Sequence, residues 1–324
     1  MNKNYILGID TSNYKTSLAV TDRTGMIIKD ARVLLAVKKG ERGLRQSEAF
    51  FQHVENFPHL INQIFDESMK DQIAAVAVSD KPRPIEGSYM PCFKAGLSFA
   101  QSIASILEIP IYRFSHQEGH IEAVKAYSTL KTEEHLLAWH LSGGTCELLK
   151  VEGSQIEIIG GSKDISFGQV LDRLGVLCGL KFPCGEEMDH YVCNLRNIDM
   201  VNRSKKLTTI KLDGLYFNLS GIETQGARLL QSGKDGISPI EWEVITEIFD
   251  RVADCIITTT QKASDTTGIK NVIFAGGVSS SKYISKKIRK VFEYTDIRID
   301  FGNQELASDN AVGVALLGGK NLWL

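Results

Sequence analysis

Residues 5–20 read Tyr5-Ile6-Leu7-Gly8-Ile9, then Asp10-Thr11-Ser12-Asn13-Tyr14-Lys15-Thr16-Ser17, then Leu18-Ala19-Val20. An apolar run of strand length leads into a polar turn rich in hydroxyls, and a second apolar run returns. The same succession starts again at Leu136-Leu137-Ala138-Trp139-His140-Leu141, turns through Ser142-Gly143-Gly144-Thr145 and returns as Glu147-Leu148-Leu149-Lys150-Val151. Two such hairpins in two halves predict a duplicated α/β unit, with the turns facing a cleft between the copies.

Working outward, further strands are expected at 26–37, 73–78, 109–114, 156–159 and 272–275. Helical spacing marks 46–65, with Phe50, Val54, Phe57 and Ile61 on one stripe and Pro58 as a kink or break. It also marks 92–107 (Phe93, Leu97, Ala100, Ile103 and Leu107 inward) and 164–177 (Val170, Leu171, Leu174 and Leu177). Trp242, Ile245, Phe249, Val252 and Ile256 mark a long amphipathic helix, and 312–317 the last one. The longest irregular stretch, 184–240, reads as an insertion. The expected organisation is a first lobe over 1–134, joined by a C-terminal helix at 309–324, and a second lobe over 135–308 with a helical insertion around 165–240.

The 324-residue chain carries a net charge of −2, so no basic field advertises nucleic acid. The clusters Arg203-Ser204-Lys205-Lys206 and Lys286-Lys287 with Arg289-Lys290 read as solvated faces. No apolar run reaches a membrane span, and Met1-Asn2-Lys3-Asn4 opens no secretory signal, so a cytoplasmic location is expected. Cys92, Cys146, Cys178, Cys184, Cys193 and Cys255 form no CxxC pair and read as reduced thiols.

The chemistry concentrates in His116-Gln117-Glu118-Gly119-His120. Residues four apart share a helix face, so two imidazoles can bind one metal ion there; the alternative is two polar side chains with no shared ligand. Gln117 stands where a zincin helix has its glutamate, so a metalloprotease base is missing. Asp309, just before the last helix, is either its N-cap or, if Ser308 caps instead, a free oxygen ligand. The turns at 10–17, 142–145 and 276–281 follow strands and could cradle phosphate with backbone N–H groups, although hairpins need glycines anyway. Asp172 reads as a solvent-facing helix charge.

Taken in order, His116-x-x-Gly119-His120, Ser142-Gly143-Gly144, Ser220-Gly221, Gly276-Gly277-Val278 and Ser308-Asp309-Asn310-Ala311 resemble one family. It is the glycoprotease-like (Gcp-like) family, better described as the threonylcarbamoyl transferases that modify adenosine beside the tRNA anticodon. Gly8-Ile9-Asp10-Thr11-Ser12 looks like its first phosphate-loop strand. Residues 164–185 are similar to its central helix and the Gly-Leu-x-[Phe/Tyr]-Pro-x-Gly turn after it. The resemblance covers roughly residues 5–318. It implies an actin-like (ASKHA) fold, two ribonuclease-H-like lobes around a nucleotide cleft. It implies one divalent metal ion, iron or zinc with magnesium as the alternative, held by His116, His120 and Asp309. It further implies an adenine nucleotide or acyl-adenylate near Asp10, Ser12, Leu141, Ser142, Gly143, Gly144, Thr145, Asp172, Gly185, Gly276, Gly277 and Ser281. The implied reaction moves a threonylcarbamoyl group from its adenylate to the exocyclic amine of adenosine. The implied partners are tRNA and proteins of the same pathway, with dimerisation left open and no membrane.

The chain departs from that pattern in four places. Thr145 follows Gly144 directly where the family has a histidine. Ser281 replaces an asparagine. Asp80-Lys81-Pro82-Arg83-Pro84 replaces a Gly-Pro-Gly turn, and Ser12-Asn13-Tyr14-Lys15 replaces Ser-Cys-Asp-Glu. A divergent paralogue fits these changes. Two other readings therefore stand beside tRNA modification: a carbamoyl-type transferase with a non-tRNA acceptor, and a non-catalytic paralogue of the same fold.

Overall fold

The computed structural model describes residues 3–12, 14–38, 43–66, 69–194, 206–230 and 239–323. Asn13 of the first turn and residues 203–205 of the first basic cluster lie outside them. The chain divides into two compact units. One holds the stretch up to Val37, Gly43–Lys131 and everything from Gly302 on; the other holds Thr132–Phe301.

In the first unit, β1 (Tyr5–Thr11), β2 (Lys15–Asp22) and β3 (Ile27–Leu34) form an antiparallel meander. β4 (Ile73–Lys81) pairs parallel to β1, and β5 (Ile111–Ser115) parallel to β4, giving the order β3-β2-β1-β4-β5. Both faces of this sheet are covered, which is why β1 and β4 read as unbroken apolar runs. Leu7, Ile9, Val76 and Val78 pack on one face with α1 (Gln46–Ile64) and α2 (Phe93–Leu107). Ile6, Ala75 and Ala77 pack on the other with α9 (Val312–Trp323), beside α3 (His116–Ala126). Small residues bring α9 close: a Cβ on Gly8 would stand 2.3 Å from the Ala311 carbonyl oxygen.

The second unit repeats the plan. β6 (His135–Leu141), β7 (Cys146–Glu152) and β8 (Gln155–Ser162) form the meander, while β11 (Asn271–Ala275) and β12 (Arg298–Asp300) add in parallel. β9 (Leu212–Asp213) and β10 (Tyr216–Phe217) extend the other edge, giving β12-β11-β6-β7-β8-β10-β9. Its core joins Leu137, Trp139 and Leu148 to Leu171 and Leu174 of α4 (Phe167–Leu177) and to Phe249, Val252 and Ile256 of α7 (Pro239–Thr267). Buried Trp139 donates its indole N–H to Thr260 Oγ1 at 2.8 Å, so its polar edge is satisfied. α5 (Gly185–Asn194), α6 (Ser220–Leu229) and α8 (Lys282–Phe292) complete the unit. Lys287 on α8 is paired with Asp250 and Asp254, each at 2.8 Å, so part of the second basic cluster is neutralised. Among the described residues no helix is long and apolar enough to cross a membrane.

Several local expectations need correction. The buried face of α1 is Ala49, His53, Phe57, Leu60 and Ile64, whereas Phe50 and Val54 are exposed. His53 can face inward because its Nδ1 hydrogen-bonds Thr16 Oγ1 of β2 at 2.9 Å. Pro58 does not break the element: α1 runs on to Ile64 with Pro58 on the exposed side, where water can solvate the carbonyl its ring leaves unpaired. α4 begins at Phe167, not 164, because Ser166 and Gln169 form a capping box. Within 184–240 the described residues hold α5, α6 and a short hairpin rather than an irregular stretch. α9 runs six residues past the 312–317 stretch marked by its spacing, to Trp323, inside the 309–324 of the expected C-terminal helix.

Candidate metal centre

β5 passes directly into α3. Ser115 ends the strand and caps the helix: the Glu118 N–H donates to Ser115 Oγ at 3.2 Å, and the Ser115 N–H to Glu118 Oε2 at 2.6 Å. The box fixes His116 as the first helical residue, so His120 sits one turn later on the same face. Their Nε2 atoms stand 3.0 Å apart.

Asp309 arrives from the loop before α9. Neither it nor Ser308 caps that helix, so the expected capping residue is corrected in both alternatives. Asn310 caps it: its Oδ1 accepts from the Val312 N–H at 3.0 Å, and its Nδ2 donates to the Leu306 and Ser308 carbonyls at 2.8 Å each. Asp309 is thereby left to the histidines, with Oδ1 3.2 Å from His120 Nε2 and 3.5 Å from His116 Nε2. Its Oδ2 accepts from Ser12 Oγ at 3.1 Å. One donor atom from each of His116, His120 and Asp309 lies within 4.8 Å of the others. Two nitrogens bound about 2.0–2.1 Å from one ion stand roughly 3 Å apart, so the donor set fits a divalent ion.

Close packing of α3 on α9 holds this meeting together. A Cβ on Gly313 would stand 1.8 Å from the Gly119 carbonyl oxygen, and one on Gly119 would stand 2.9 Å from Val314 Cγ1. Gly313→Ala should therefore cost about 1–3 kcal/mol or more through overpacking. Urea unfolding of the variant measures it, and an unchanged midpoint would show that the helices can separate freely.

Behind the donors lies a second layer that the sequence did not reveal. Asp10, fully buried at the end of β1, faces His116 with Oδ2 2.7 Å from Nδ1. Ser79 Oγ donates to the same carboxylate oxygen, and the Ser12 N–H donates to Oδ1 at 3.1 Å. Asp10 thus holds the Nδ1 proton of His116 and leaves Nε2 as the ligand atom, the arrangement that orients metal-binding histidines. Asp10 and Ser12, expected beside a nucleotide, are hydrogen-bonded into this cluster.

The electrostatics follow from these contacts. Burial alone would lower the His116 pKa, but the Asp10 carboxylate beside it, reinforced by Asp309, pushes it up to about 10. Burial works against the charge of Asp309 too, yet hydrogen bonds and charge from the two histidines hold its carboxyl well below the usual range. Burial, with the charge of His116, lowers His120. A binding ion must therefore displace one proton, that of His116. Its apparent affinity should rise about tenfold per pH unit from neutrality up to about pH 10. Metal titrations at pH 7, 8 and 9 would test this; a flat profile would show that His116 does not ligate.

The remaining predicted residues lie in the second unit. Ser142 and Thr145 close the β6–β7 turn, Thr145 N–H donating to Ser142 Oγ at 3.0 Å. Ser166 Oγ donates to the Gly143 carbonyl at 2.6 Å, and Gly168 packs against Gly143, which sets the start of α4 beside this turn. Gly276, at φ 94°, lies against the Leu141 carbonyl, where a Cβ would stand 2.3 Å from the oxygen. Leu141, Ser142, Gly143, Gly144, Thr145 and Gly276 therefore gather at one end of the sheet. A Cβ on Gly143, Gly144, Gly185 or Gly277 would meet nothing within 4 Å. Asp172 is not a solvent-facing charge: it accepts the Cys184 N–H at 2.8 Å and fastens the start of α5. The Ser281 hydroxyl is engaged within the second unit. It donates to the Asp189 carboxylate and caps α8 through the Ile284 N–H at 3.1 Å. Burial pushes the Cys178 and Cys184 thiols up to about 11 and about 12, so both stay protonated.

The family model described as TsaD, tRNA N6-adenosine threonylcarbamoyltransferase, matches residues 35–316. A protein of that name from Streptococcus pneumoniae serotype 19F (strain G54) is 28% identical over 321 residues, 97% of this chain and 91% of the relative. Another of the same name, from Archaeoglobus fulgidus, is 26% identical over 315 residues, 96% of this chain and 90% of the relative. Among solved structures, full-length HypF in its phosphate- and nucleotide-bound form superposes with a TM-score of 0.60 at 13% identity. That match covers 100% of this chain and 56% of HypF, so the chain spans little more than half of that protein. The likeness is one of fold: α/β, actin-like (ASKHA), each unit built on a mixed sheet.

Proposed function

The chain belongs to this TsaD family, the tRNA N6-adenosine threonylcarbamoyltransferases, and from that membership we propose that it transfers a threonylcarbamoyl group, in a metal-dependent reaction, from threonylcarbamoyl-adenylate to the exocyclic amine of the adenosine beside the tRNA anticodon. The observation that carries the reading is the convergence of His116, His120 and Asp309, with Asp10 orienting the first of them.

In the reaction the amine nitrogen bonds to the carbamoyl carbon. The bond from that carbon to the phosphate oxygen breaks, AMP leaves with the electron pair, and one amine proton is released. His116, His120 and Asp309 would hold the ion, with iron or zinc suiting two nitrogens and a carboxylate and magnesium as the alternative. A bound divalent ion supplies Lewis acidity and a template for the adenylate. Asp10 keeps His116 in the tautomer that presents Nε2, and Ser12 steadies Asp309. Within the second unit, the backbone at Gly143, Gly144 and Gly277 is open to an approaching phosphate. Proteins of the same pathway would supply the adenylate and assist tRNA docking.

A transfer assay tests the reading. Purified protein receives a divalent ion, labelled threonylcarbamoyl-adenylate, unmodified tRNA and candidate partner proteins, and mass spectrometry reports the nucleosides of the digested tRNA. Threonylcarbamoyl-adenosine that disappears on chelation and returns with added metal is the expected result. Adenylate binding without a modified nucleoside would move the acceptor to another molecule; no adenylate binding would leave a non-catalytic member of the family.

A further inference from the structure

We propose that Lys15 is the anion-reading residue of this centre: beside the ion held by His116, His120 and Asp309, its ammonium takes an oxyanion of the substrate, a carboxylate or a phosphate. The proposal rests on the metal reading above and adds the group that selects the ligand's charge.

Lys15 opens β2 directly after the first hairpin turn and is partly buried. Its Nζ donates to Ser308 Oγ at 2.7 Å, on the residue next to Asp309. An ammonium has three protons to donate, and among the described residues Ser308 is its hydrogen-bond partner. Of the charged groups that act on it, the Asp309 carboxylate acts most strongly and favours its charged form; the other two, Arg32 and Asp30, are paired with each other, and Arg32 also donates to the Glu305 carbonyl at 2.8 Å. They add no net charge.

Two physical points give Lys15 its role. A divalent ion, neutral histidines and the carboxylates of Asp309 and Asp10 sum to zero charge; Lys15 makes the centre net positive, so an anion is the ligand it favours. A cation beside a cation-binding site also weakens that site. Fastening the loop before α9 needs no charge, and Ser17 Oγ already accepts the Ala311 N–H at 2.9 Å there. A lysine kept in that place works against the metal unless an oxyanion bridges the two.

The test uses Zn2+-loaded full chain as wild type, Lys15→Gln, Lys15→Met and Lys15→Arg. Each is titrated calorimetrically with AMP and with N-carbamoyl-threonine, and Zn2+ affinity is measured separately by competition with a chromophoric chelator. Lys15→Gln can still hydrogen-bond Ser308, so it separates charge from loop fastening. The expected result is a loss of about 10–100-fold for one probe in Lys15→Gln and Lys15→Met, the scale of a hydrogen bond to a charged group. Lys15→Arg should largely rescue it, and Zn2+ affinity should stay level or tighten. Loss in the AMP arm identifies phosphate; loss in the N-carbamoyl-threonine arm identifies carboxylate. Unchanged binding of both probes in Lys15→Gln overturns the proposal, as does a parallel fall in Zn2+ affinity, which would make Lys15 a structural prop. A wild-type chain that takes up no Zn2+ fails at the earlier step and overturns the metal reading and this proposal together.

Discussion

His116→Ala should abolish threonylcarbamoyl transfer and lower stability at the same time. The first effect comes from removing one of three donors that meet within 4.8 Å. The metal affinity should fall by more than the 10–100-fold typical of losing an outer partner. The second effect comes from Asp10, which is fully buried and loses the cation-capable group 2.7 Å away. Leaving a buried charge without its partner costs about 3–5 kcal/mol. The two effects can be separated. Adding Asp10→Asn to His116→Ala removes the stranded charge, so the double variant should regain much of the unfolding free energy while transfer stays absent. Urea denaturation and the tRNA assay, run on both variants, give the comparison. Full transfer by a folded His116→Ala protein would sink the metal mechanism. A double variant no more stable than the single one would mean that Asp10 is not held as a carboxylate by His116.

That contrast also marks what could be read from the chain before its structure. The hairpins at 5–20 and 136–151 were legible because sheets covered on both faces need continuous apolar strands. Both units place the meander's first strand between its second strand and a parallel strand, in the orders β3-β2-β1-β4-β5 and β8-β7-β6-β11-β12, with β10 and β9 added beyond β8 in the second. The His116/His120 pair was legible because helical spacing is local. The inward face of α1 was not, because Ala49 and His53 look unlike core residues until Thr16 pairs with His53 Nδ1. The Ser115-x-x-Glu118 capping box is a local signal for the start of α3. Ser308, Asp309 and Asn310 are all capping residue types, so no local rule says which one caps; the amide of Asn310 settles it by also bonding the Leu306 and Ser308 carbonyls. The meeting of Asp10 with His116 joins positions 106 apart, which no periodicity can signal.

Asp10→Asn should weaken metal binding by about 10–100-fold at pH 9, with a smaller difference at pH 7. The carboxylate acts on two forms of His116. It strengthens Nε2 as a ligand by drawing on the Nδ1 proton, and it also stabilises the protonated ring, whose pKa is pushed up to about 10. In the ion-free protein this raised value contributes stability that is complete below the ordinary histidine range and is lost as pH rises through about 10. Metal binding has the opposite slope, because the ion and the proton compete for the same ring. An asparagine weakens both effects. It also cannot accept from the Ser12 N–H and from His116 Nδ1 through two oxygens as the carboxylate does, so one buried donor loses its acceptor. The proton therefore leaves at lower pH in the variant, and its affinity should stop rising earlier than in the wild type. The two curves should converge toward neutral pH and spread apart in alkali. Chelator competition from pH 7 to 10, with circular dichroism to verify the fold, would record both. Parallel curves would remove Asp10 from the proton balance at His116 and reduce it to a structural contact of β1.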